Sequence, residues 1–300
     1  MFAPTNHIEL QSIESPNLTE RGIELFIARF DLLHPIVSGN KLFKLKYFFD
    51  GIDLTQKTVI TKGGAYSNHL IATAYYCKEN KLPCIGIVRG EAPKKWSKTL
   101  IHCREYGMHL HFVARTEFEH IDATFASKLF SLNETNSIFI PEGGYSEIGT
   151  AGAATMYEMI NKNATTHIIT AVGTATTLAG LATVVPQNVQ VIGVPVLKNL
   201  SDIEHRIQYL TNGRTYYPPL IFDDYHFGGY AKKTDSLINF MNDFYNQYQI
   251  PTDFVYTGKM LYAVMDKIER DYFSEGSRIV CIHTGGLQGN LSLEKGTLNF

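Results

Sequence analysis

Short apolar runs alternate with longer amphipathic stretches along most of this chain. The short runs are rich in Val and Ile, which is typical of buried strands, and the longer stretches repeat apolar residues at helical spacing. The runs predict strands at 59–61, 84–88, 110–113, 137–140, 168–172, 189–194 and 279–282. The stretches predict helices at 67–79, 95–106, 150–160, 177–184, 202–210, 234–248 and 261–272, and another that opens at Gly39-Asn40. This alternation predicts an α/β fold with mostly parallel sheets and helices on both faces.

Composition makes the domain organisation more definite. The chain has 300 residues, 44% of them hydrophobic and 19% charged, which is enough for one large or two medium domains with cores of their own. Because no Pro/Gly/Ser-rich linker divides the chain, we expect two closely joined α/β lobes. The 27 Lys+Arg and 29 Asp+Glu give a net charge of −2, so no broad positive field for nucleic acid is expected.

Other sequence features bear on location and metals. The four cysteines show neither C-x-x-C pairing nor zinc-site spacing, and no H-E-x-x-H motif occurs, so no metal site is predicted. No apolar run is long enough for a membrane span, and residues 1–17 do not look like a signal peptide. A reduced, cytoplasmic location without membrane contact is therefore expected.

Two glycine-containing turns that follow predicted strands carry candidate chemistry. In the turn at 62–69, Ser67 or Asn68 can cap the next helix, whose free N–H groups would attract a carboxylate. The alternative is simply a well-capped helix. The turn at 173–180 offers backbone amides and three threonine hydroxyls to a phosphate, although an ordinary turn remains possible because neither a Walker A nor a G-x-G-x-x-G motif is present.

Two further turns, at 141–147 and 283–286, also follow predicted strands. Either could merely reverse the chain. Four such turns after four strands nevertheless suggest one shared rim, at which the backbone stays close to a bound ligand.

A single lysine, Lys41, stands at the start of the helix that opens at Gly39-Asn40. Lysines on an amphipathic helix are normally solvated surface charges. At a helix start, however, the helix dipole favours loss of the positive charge, and a Schiff-base lysine needs a lowered pKa. A lysine, a phosphate-binding turn and a carboxylate-binding helix start together suit pyridoxal phosphate acting on an amino acid.

In their order along the chain, these motifs resemble the 1-aminocyclopropane-1-carboxylate deaminase/D-cysteine desulfhydrase family. That family has the tryptophan-synthase-β type (fold type II) of pyridoxal-phosphate fold. The resemblance runs from about Phe26 to the last glycine turn. It is carried by Ser38-Gly39-Asn40-Lys41, Gly63-Gly64-Ala65-Tyr66-Ser67-Asn68-His69, the 173–180 loop, Tyr256-Thr257-Gly258-Lys259 and His283-Thr284-Gly285-Gly286.

The resemblance implies roles for individual residues. Lys41 would bond covalently to the cofactor and, once released by substrate, move protons. Ser67 matches the family's catalytic serine, and Tyr230 and Tyr256 would lie beside the substrate and serve catalysis. The substrate carboxylate would be received by Ser67, Asn68 and His69. The implied cofactor ligands are Lys44, Thr174, Ala175, Thr176 and Thr177 at the phosphate, Asn68 at the ring hydroxyl, Thr257 at the pyridine nitrogen, and Thr284 near it.

The residues expected at the pyridine nitrogen bear on the reaction. An acidic partner keeps this nitrogen protonated, whereas a hydroxyl leaves it largely neutral. Deaminase-type members have Glu and Leu where this chain has Thr257 and Thr284, which is similar to the desulfhydrase pattern. The resemblance therefore implies β-elimination from a D-amino acid to pyruvate and ammonia. The alternatives are cyclopropane ring opening to 2-oxobutanoate and a catalytically silent protein that binds cofactor or amino acid.

The resemblance also implies an architecture. A small domain, 44–146, would be inserted into a large domain formed by 1–43 and 147–300, with the cofactor between them and two chains forming a homodimer. Some positions depart from the family pattern. Ser38 replaces a Gly, Phe43 replaces an Arg, Ala175-Thr176 replaces a Gly-rich pair, and Ala231 follows Tyr230 where the family has Gly.

Overall fold

The structure is a computed structural model that describes residues 8–160, 164–214 and 217–300. Its strands are β1 Leu10–Ile13, β2 Glu24–Ala28, β3 Thr58–Gly63, β4 Cys84–Arg89, β5 Met108–Val113, β6 Ser137–Ile140, β7 His167–Val172, β8 Gln190–Pro195, β9 Leu220–Ile221 and β10 Arg278–Ile282. Its α-helices are α1 Pro16–Glu20, α2 Asn40–Phe49, α3 Asn68–Glu79, α4 Lys98–Glu105, α5 Arg115–His120, α6 Ala123–Leu129, α7 Glu147–Ala154, α8 Thr176–Val184, α9 Ile203–Thr211, α10 Asp235–Tyr248 and α11 Thr257–Glu269.

The larger sheet has six strands in the order β1-β2-β10-β7-β8-β9. All neighbours pair in parallel except the edge pair β1 and β2, which is antiparallel. Central strands β7 and β10 are buried along nearly their whole length. Helix α8 packs against one face of this sheet, and α11 contributes to the apolar cluster that includes Ile169 and Ile192.

The smaller sheet has four parallel strands in the order β5-β4-β3-β6. All four lie within the segment predicted to form the small domain, and every strand of the larger sheet lies outside it. Residue 44, however, falls inside α2, which packs extensively on α7. The predicted domain boundaries therefore stay a prediction, with the small sheet as their structural centre.

The seven predicted strands are confirmed, each to within two residues at its ends. Three strands were missed. β1 has the sequence LQSI, in which polar residues interrupt the apolar run, and β9 has only two residues. β2 has the sequence ELFIA, an apolar run that the pattern analysis passed over.

Helix boundaries were predicted less well. The stretch predicted as one helix at 150–160 is α7 followed by a 3₁₀ segment, Thr155–Met159. The helix predicted at 261–272 begins four residues earlier, at Thr257, because a buried carboxylate caps its start. The short helices α1, α5 and α6 have too few turns to show a helical repeat. Within the described residues, no helix combines the length and the apolar character that crossing a membrane requires.

Candidate active site

The four glycine-containing turns meet around the start of α2. The turn before α3 contacts the turn after β10, since Asn68 Nδ2 donates to the Gly286 carbonyl at 3.3 Å. The turn after β6 packs on the turn after β7, where a Cβ added at Gly143 would lie 3.0 Å from Thr174. Lys44, on α2, donates to the Gly143 carbonyl at 3.1 Å. The shared rim suggested by the sequence is therefore present.

Lys41 is held between the turns by its neighbours. Gly39 has φ +61°, and a Cβ on it would lie 1.8 Å from the Thr284 carbonyl oxygen, so only glycine fits. The backbone N–H of Asn40 donates to that same carbonyl at 3.2 Å. The Asn40 side chain donates to Thr177 Oγ1 at 2.8 Å and accepts from Lys41 Nζ at 2.5 Å. The lysine is thereby tied to the last strand's turn and to the start of α8.

The charge of Lys41 is destabilised by its surroundings. Burial lowers the pKa of Lys41 to about 8, and the nearby carboxylate of Asp253 opposes this decrease. About a tenth of the amine is therefore unprotonated at pH 7, far more than for an ordinary lysine. The alternative of an ordinary solvated lysine does not apply to Lys41, although it does apply to Lys46 on the same helix, whose side chain is 45% exposed.

The start of α8 is buried but has no side-chain cap. Thr176 and Thr177 are buried there, and Ala175 adopts the left-handed conformation with φ +68°. The Thr174 and Thr176 hydroxyls lie 2.9 Å apart at the same end. A buried helix start without a cap leaves N–H groups unsatisfied unless a ligand accepts from them.

Lys44 adds a positive charge beside this helix start. It is only 3% exposed, and its ammonium has one hydrogen-bond acceptor among the described residues, the Gly143 carbonyl. Burial and the charge of Lys41 lower the pKa of Lys44 well below its usual value. An anion at the start of α8 would accept from the free N–H groups there and would stabilise the buried charge of Lys44. These residues therefore fit a phosphate group.

Ser67 is the N-cap of α3. Its Oγ accepts from the backbone N–H groups of His69 and Leu70, both at 3.2 Å. Ser67 therefore caps α3, as the sequence predicts, and its predicted role toward a carboxylate stays a prediction. These bonds use the oxygen as an acceptor, so the hydroxyl proton can still be donated to a ligand.

Asn68 and His69, the next two residues, are held by other parts of the protein. The Asn68 amide oxygen accepts from Gln288 N at 3.3 Å, while one Nδ2 hydrogen goes to Gly286. The second Nδ2 hydrogen is left for a ligand. The His69 ring turns instead toward β3, with Nε2 2.9 Å from Thr61 Oγ1.

The His69 ring is neutral. Burial, with help from Lys41 and Lys44, lowers its pKa to about 3. The Thr61 hydroxyl donates to the Ile140 carbonyl at 2.8 Å, so it accepts from His69 Nε2–H. The buried Nδ1 then has no hydrogen-bond partner among the described residues. His69 therefore brings no positive charge to a carboxylate, and its predicted part in binding one stays a prediction.

Tyr230 and Tyr256 form a pair on the large-sheet side. Their rings meet edge to face, with centroids 6.2 Å apart. Burial raises the pKa of both phenols, so they are protonated at neutral pH. Lys259 Nζ donates to the carbonyls of His226 and Gly229 at 2.8 and 2.7 Å, which fixes the loop that carries Tyr230.

Asp253 is a site residue that the sequence analysis missed. It is fully buried and accepts from the backbone N–H groups of Val255, Tyr256 and Thr257 at 3.0 to 3.3 Å. Burial raises its pKa, and these hydrogen bonds oppose the increase. An Asp just before a helix is a capping signal that the sequence contains. The proximity of this charge to Lys41 is not visible in the sequence.

Asp253 also fixes the orientation of the Thr257 hydroxyl. Thr257 Oγ1 accepts from Asp253 N at 2.9 Å and lies 3.2 Å from Asp253 Oδ1, to which it donates. One lone pair of the hydroxyl then remains for a ligand. Thr284 is also buried, with its carbonyl bonded to Asn40 N. The roles predicted for both threonines toward a pyridine nitrogen stay predictions.

Ser38 and Phe43, two of the departures from the family pattern, have clear structural roles. Ser38 Oγ accepts from Gly286 N at 2.9 Å and so ties the lysine turn to the last glycine turn. Phe43 is buried, with its ring edge-on to Phe30. Ala175 and Ala231 both have positive φ, +68° and +53°, a conformation that glycine adopts without strain.

Comparison with known proteins agrees with this geometry. Residues 4–285 match the family described as pyridoxal-phosphate dependent enzymes. A protein of Thermotoga maritima, provisionally named a 1-aminocyclopropane-1-carboxylate deaminase, is 30% identical over 89% of this chain and 90% of its own. The D-cysteine desulfhydrase of Salmonella typhi is 26% identical over 88% and 87%.

A solved structure gives the same result for the fold. The crystal structure of a homologue of 1-aminocyclopropane-1-carboxylate deaminase has a TM-score of 0.79 and 27% identity, and the match covers 95% of this chain and 90% of that one. The two-sheet α/β architecture with its cleft of glycine-containing turns is therefore the fold type II architecture predicted from the sequence. The chain belongs to the pyridoxal-phosphate dependent enzymes.

Proposed function

We propose that this enzyme removes the β-substituent of a small D-amino acid such as D-cysteine. The overall reaction would convert D-cysteine and water into pyruvate, ammonia and hydrogen sulfide. The observation that carries the proposal is the placement of Lys41. This partly buried lysine, with its lowered pKa, lies between a helix start that fits a phosphate and a turn that fits a carboxylate.

Several residues would hold the cofactor. Its phosphate would lie at the start of α8, with Lys44 beside it and with the backbone and hydroxyls of Thr174, Ala175, Thr176 and Thr177 around it. The free hydrogen of Asn68 Nδ2 would reach the ring hydroxyl. When bound, pyridoxal phosphate supplies an electron sink for bonds broken at the substrate's Cα.

The chain's own residues would do the remaining work. Lys41 would bond to the cofactor. Once the substrate has displaced Lys41 from that bond, the free amine would remove the substrate's Cα proton. Ser67 would donate a hydrogen bond from its hydroxyl to the substrate carboxylate. The same hydroxyl would also take part in proton transfer. Tyr230 and Tyr256, both protonated, would flank the substrate and donate hydrogen bonds. The uncharged His69 would leave the carboxylate to the hydroxyl and to backbone N–H groups.

The arrangement also supports proposals about assembly. We take 44–146 as a small domain that carries the carboxylate-binding turn, and 1–43 with 147–300 as the large domain. Movement of the small domain toward the large one would exclude water from the cleft. The bonds from Asn68 to Gly286 and Gln288 already join the two sides. We also propose that two copies of this chain form a homodimer and that the enzyme is located in the cytoplasm.

Two other functions remain candidates. Opening of the cyclopropane ring to give 2-oxobutanoate is favoured by the names of the Thermotoga relative and of the solved homologue. Thr257 and Thr284, in place of Glu and Leu, favour elimination instead. A catalytically silent binder would keep the cofactor site without turnover, yet Lys41, Ser67 and the tyrosine pair are all present.

The first experiment records the visible spectrum of the purified protein with pyridoxal phosphate, then assays 2-oxo acids with each candidate substrate. A cofactor band with pyruvate from D-cysteine alone supports elimination. Formation of 2-oxobutanoate from 1-aminocyclopropane-1-carboxylate would replace elimination with ring opening. A cofactor band without turnover of any small amino acid would identify a silent binder, and no band at all would contradict the cofactor site.

Replacing Lys44 with Met should weaken phosphate binding selectively. A charge-assisted hydrogen bond is worth about 1.5–3 kcal/mol, so the Kd for pyridoxal phosphate should rise roughly 10- to 100-fold. Pyridoxal, which has no phosphate, should bind the variant and the parent equally well. Equilibrium titration with both compounds checks this result. A parallel loss of affinity for pyridoxal would indicate that Lys44 matters for structure rather than for the phosphate.

A further inference from the structure

Three charged side chains lie together at one end of the smaller sheet. Arg89 is the last residue of β4, Lys62 is the second to last of β3, and Glu142 follows β6 by two residues. These strands are neighbours and parallel, so their carboxyl ends meet at the same edge. The turn that carries Ser67 leaves this edge, and the Arg89 guanidinium would lie 3.6 Å from a Cβ on Gly64.

The two cations both lie against the ring of Phe118. Lys62 Nζ donates to the carbonyls of Phe118 and Ile121 at 2.9 and 2.8 Å. The Arg89 guanidinium lies over the Phe118 ring at 5.6 Å, and Lys62 Nζ is 4.9 Å from the same ring. Phe118 and the end of α5 thus fix both positive charges on one side of the edge.

The carboxylate oxygens of Glu142, in contrast, are available to accept hydrogen bonds. Its side chain is partly buried, and within the part of the chain that the structure describes its carboxylate makes no hydrogen bond and no ion pair within 4.0 Å. Burial raises its pKa, and the more distant charges of Arg89 and Lys62 oppose the increase. Water reaches this partly buried carboxylate, so a ligand that covered it would have to supply a donor in place of the water.

The position of Glu142 is fixed on the substrate side of the cleft. The residue after it, Gly143, accepts from Lys44 and packs on Thr174, so the backbone is locked to the phosphate-binding turn. The carboxylate is also close enough to Tyr230 and Tyr256 for its charge to raise the pKa of both phenols. Glu142 therefore lies among the phosphate-binding turn, the Ser67 turn and the tyrosine pair.

We propose that Glu142 determines substrate specificity by accepting a hydrogen bond from a donor on the substrate's side chain. The substrate class is then a small amino acid with a β-hydroxyl, β-thiol or β-amine, in preference to the all-carbon ring of 1-aminocyclopropane-1-carboxylate. An acceptor that a bound ligand removes from water discriminates against a ligand without the matching donor, because the acceptor is then left unpaired. This inference rests on the proposed function and narrows its substrate.

The test compares two ligands that differ only by a hydroxyl. Kd values for D-serine and D-alanine, and for their L forms, are measured from the change in the visible band of the cofactor-loaded protein. Hydrogen bonds to charged groups contribute about 1.5–3 kcal/mol, so serine of the bound configuration should bind at least about 10-fold more tightly than alanine. Glu142→Ala should reduce this ratio to near 1 by weakening serine binding alone.

Two further variants distinguish recognition from structural damage. Glu142→Gln keeps an acceptor oxygen and should retain part of the preference for serine. Glu147→Ala removes a nearby exposed carboxylate and should leave the ratio unchanged. Equal binding of serine and alanine by the parent, or an unchanged ratio in Glu142→Ala, would overturn the role of Glu142 while leaving the proposed function in place. A cofactor band that responds to no amino acid would overturn both.

Discussion

The Lys41→Ala protein should lose covalent attachment of pyridoxal phosphate and nearly all turnover. Lys41 would provide both the bond to the cofactor and the proton transfer at Cα. Proton transfer by a positioned side chain alone contributes about 10²–10⁴-fold, so 2-oxo acid formation should fall by at least about 10³-fold. Borohydride reduction followed by mass measurement of the intact protein reports the covalent bond, and a continuous assay reports the turnover.

Lys46→Ala is the matched control for this variant. Lys46 is on the same helix, but it is exposed and its nearest ionic partner is Asp50, at 3.7 Å. Its removal should change neither cofactor attachment nor turnover. If Lys41→Ala retained a reducible bond to the cofactor, another lysine would have to be the attachment site. Lys44, which is also buried with a lowered pKa, would be the first to examine.

The sequence predicted the elements that depend on local composition. Strands β4, β7 and β8 consist mainly of Val, Ile and other apolar residues, and each precedes an α-helix. β1 escaped detection because two polar residues separate its apolar ends, and because the strand forms only by pairing with β2. The early start of α11 was missed because the cap is made by a buried carboxylate four residues before Thr257.

The site could be predicted as a set of turns but not as a network of contacts. The glycines, Lys41 and Ser67 are visible as motifs, because each has a local signature next to a helix start. The bond from Asn40 to Thr177 joins two distant turns, and nothing in either turn specifies the other. The direction of the His69 ring toward Thr61 likewise depends on how α3 packs on β3 and β6 within the smaller sheet.

Replacing Asp253 with Asn should shift the pH dependence of cofactor attachment. The amine of Lys41 has to be unprotonated to attack the aldehyde of pyridoxal phosphate. With the Lys41 pKa at about 8, the attachment rate should rise about tenfold per pH unit below that value and level off above it. Asp253 raises this pKa by its negative charge, against the decrease that burial causes. In Asp253→Asn, the rate should therefore level off at a lower pH.

Asp253→Asn should also destabilise the fold. The carboxylate accepts three backbone N–H groups, and the amide nitrogen of Asn would face at least one of them as a second donor. Loss of a buried hydrogen bond costs about 1–3 kcal/mol, which urea unfolding of the cofactor-free protein measures. Asp266→Asn, which changes a carboxylate of α11 that is bonded to Tyr225 and Arg270, serves as the control.

The two readouts separate an electrostatic role of Asp253 from a structural one. A variant that is only less stable would attach the cofactor with the parent's pH profile at temperatures where it is folded. A shift of the levelling-off point toward lower pH, absent from Asp266→Asn, would show that this carboxylate sets the protonation of Lys41. An unshifted profile would contradict that coupling, and Asp253 would then serve only as the cap that places Tyr256 and Thr257.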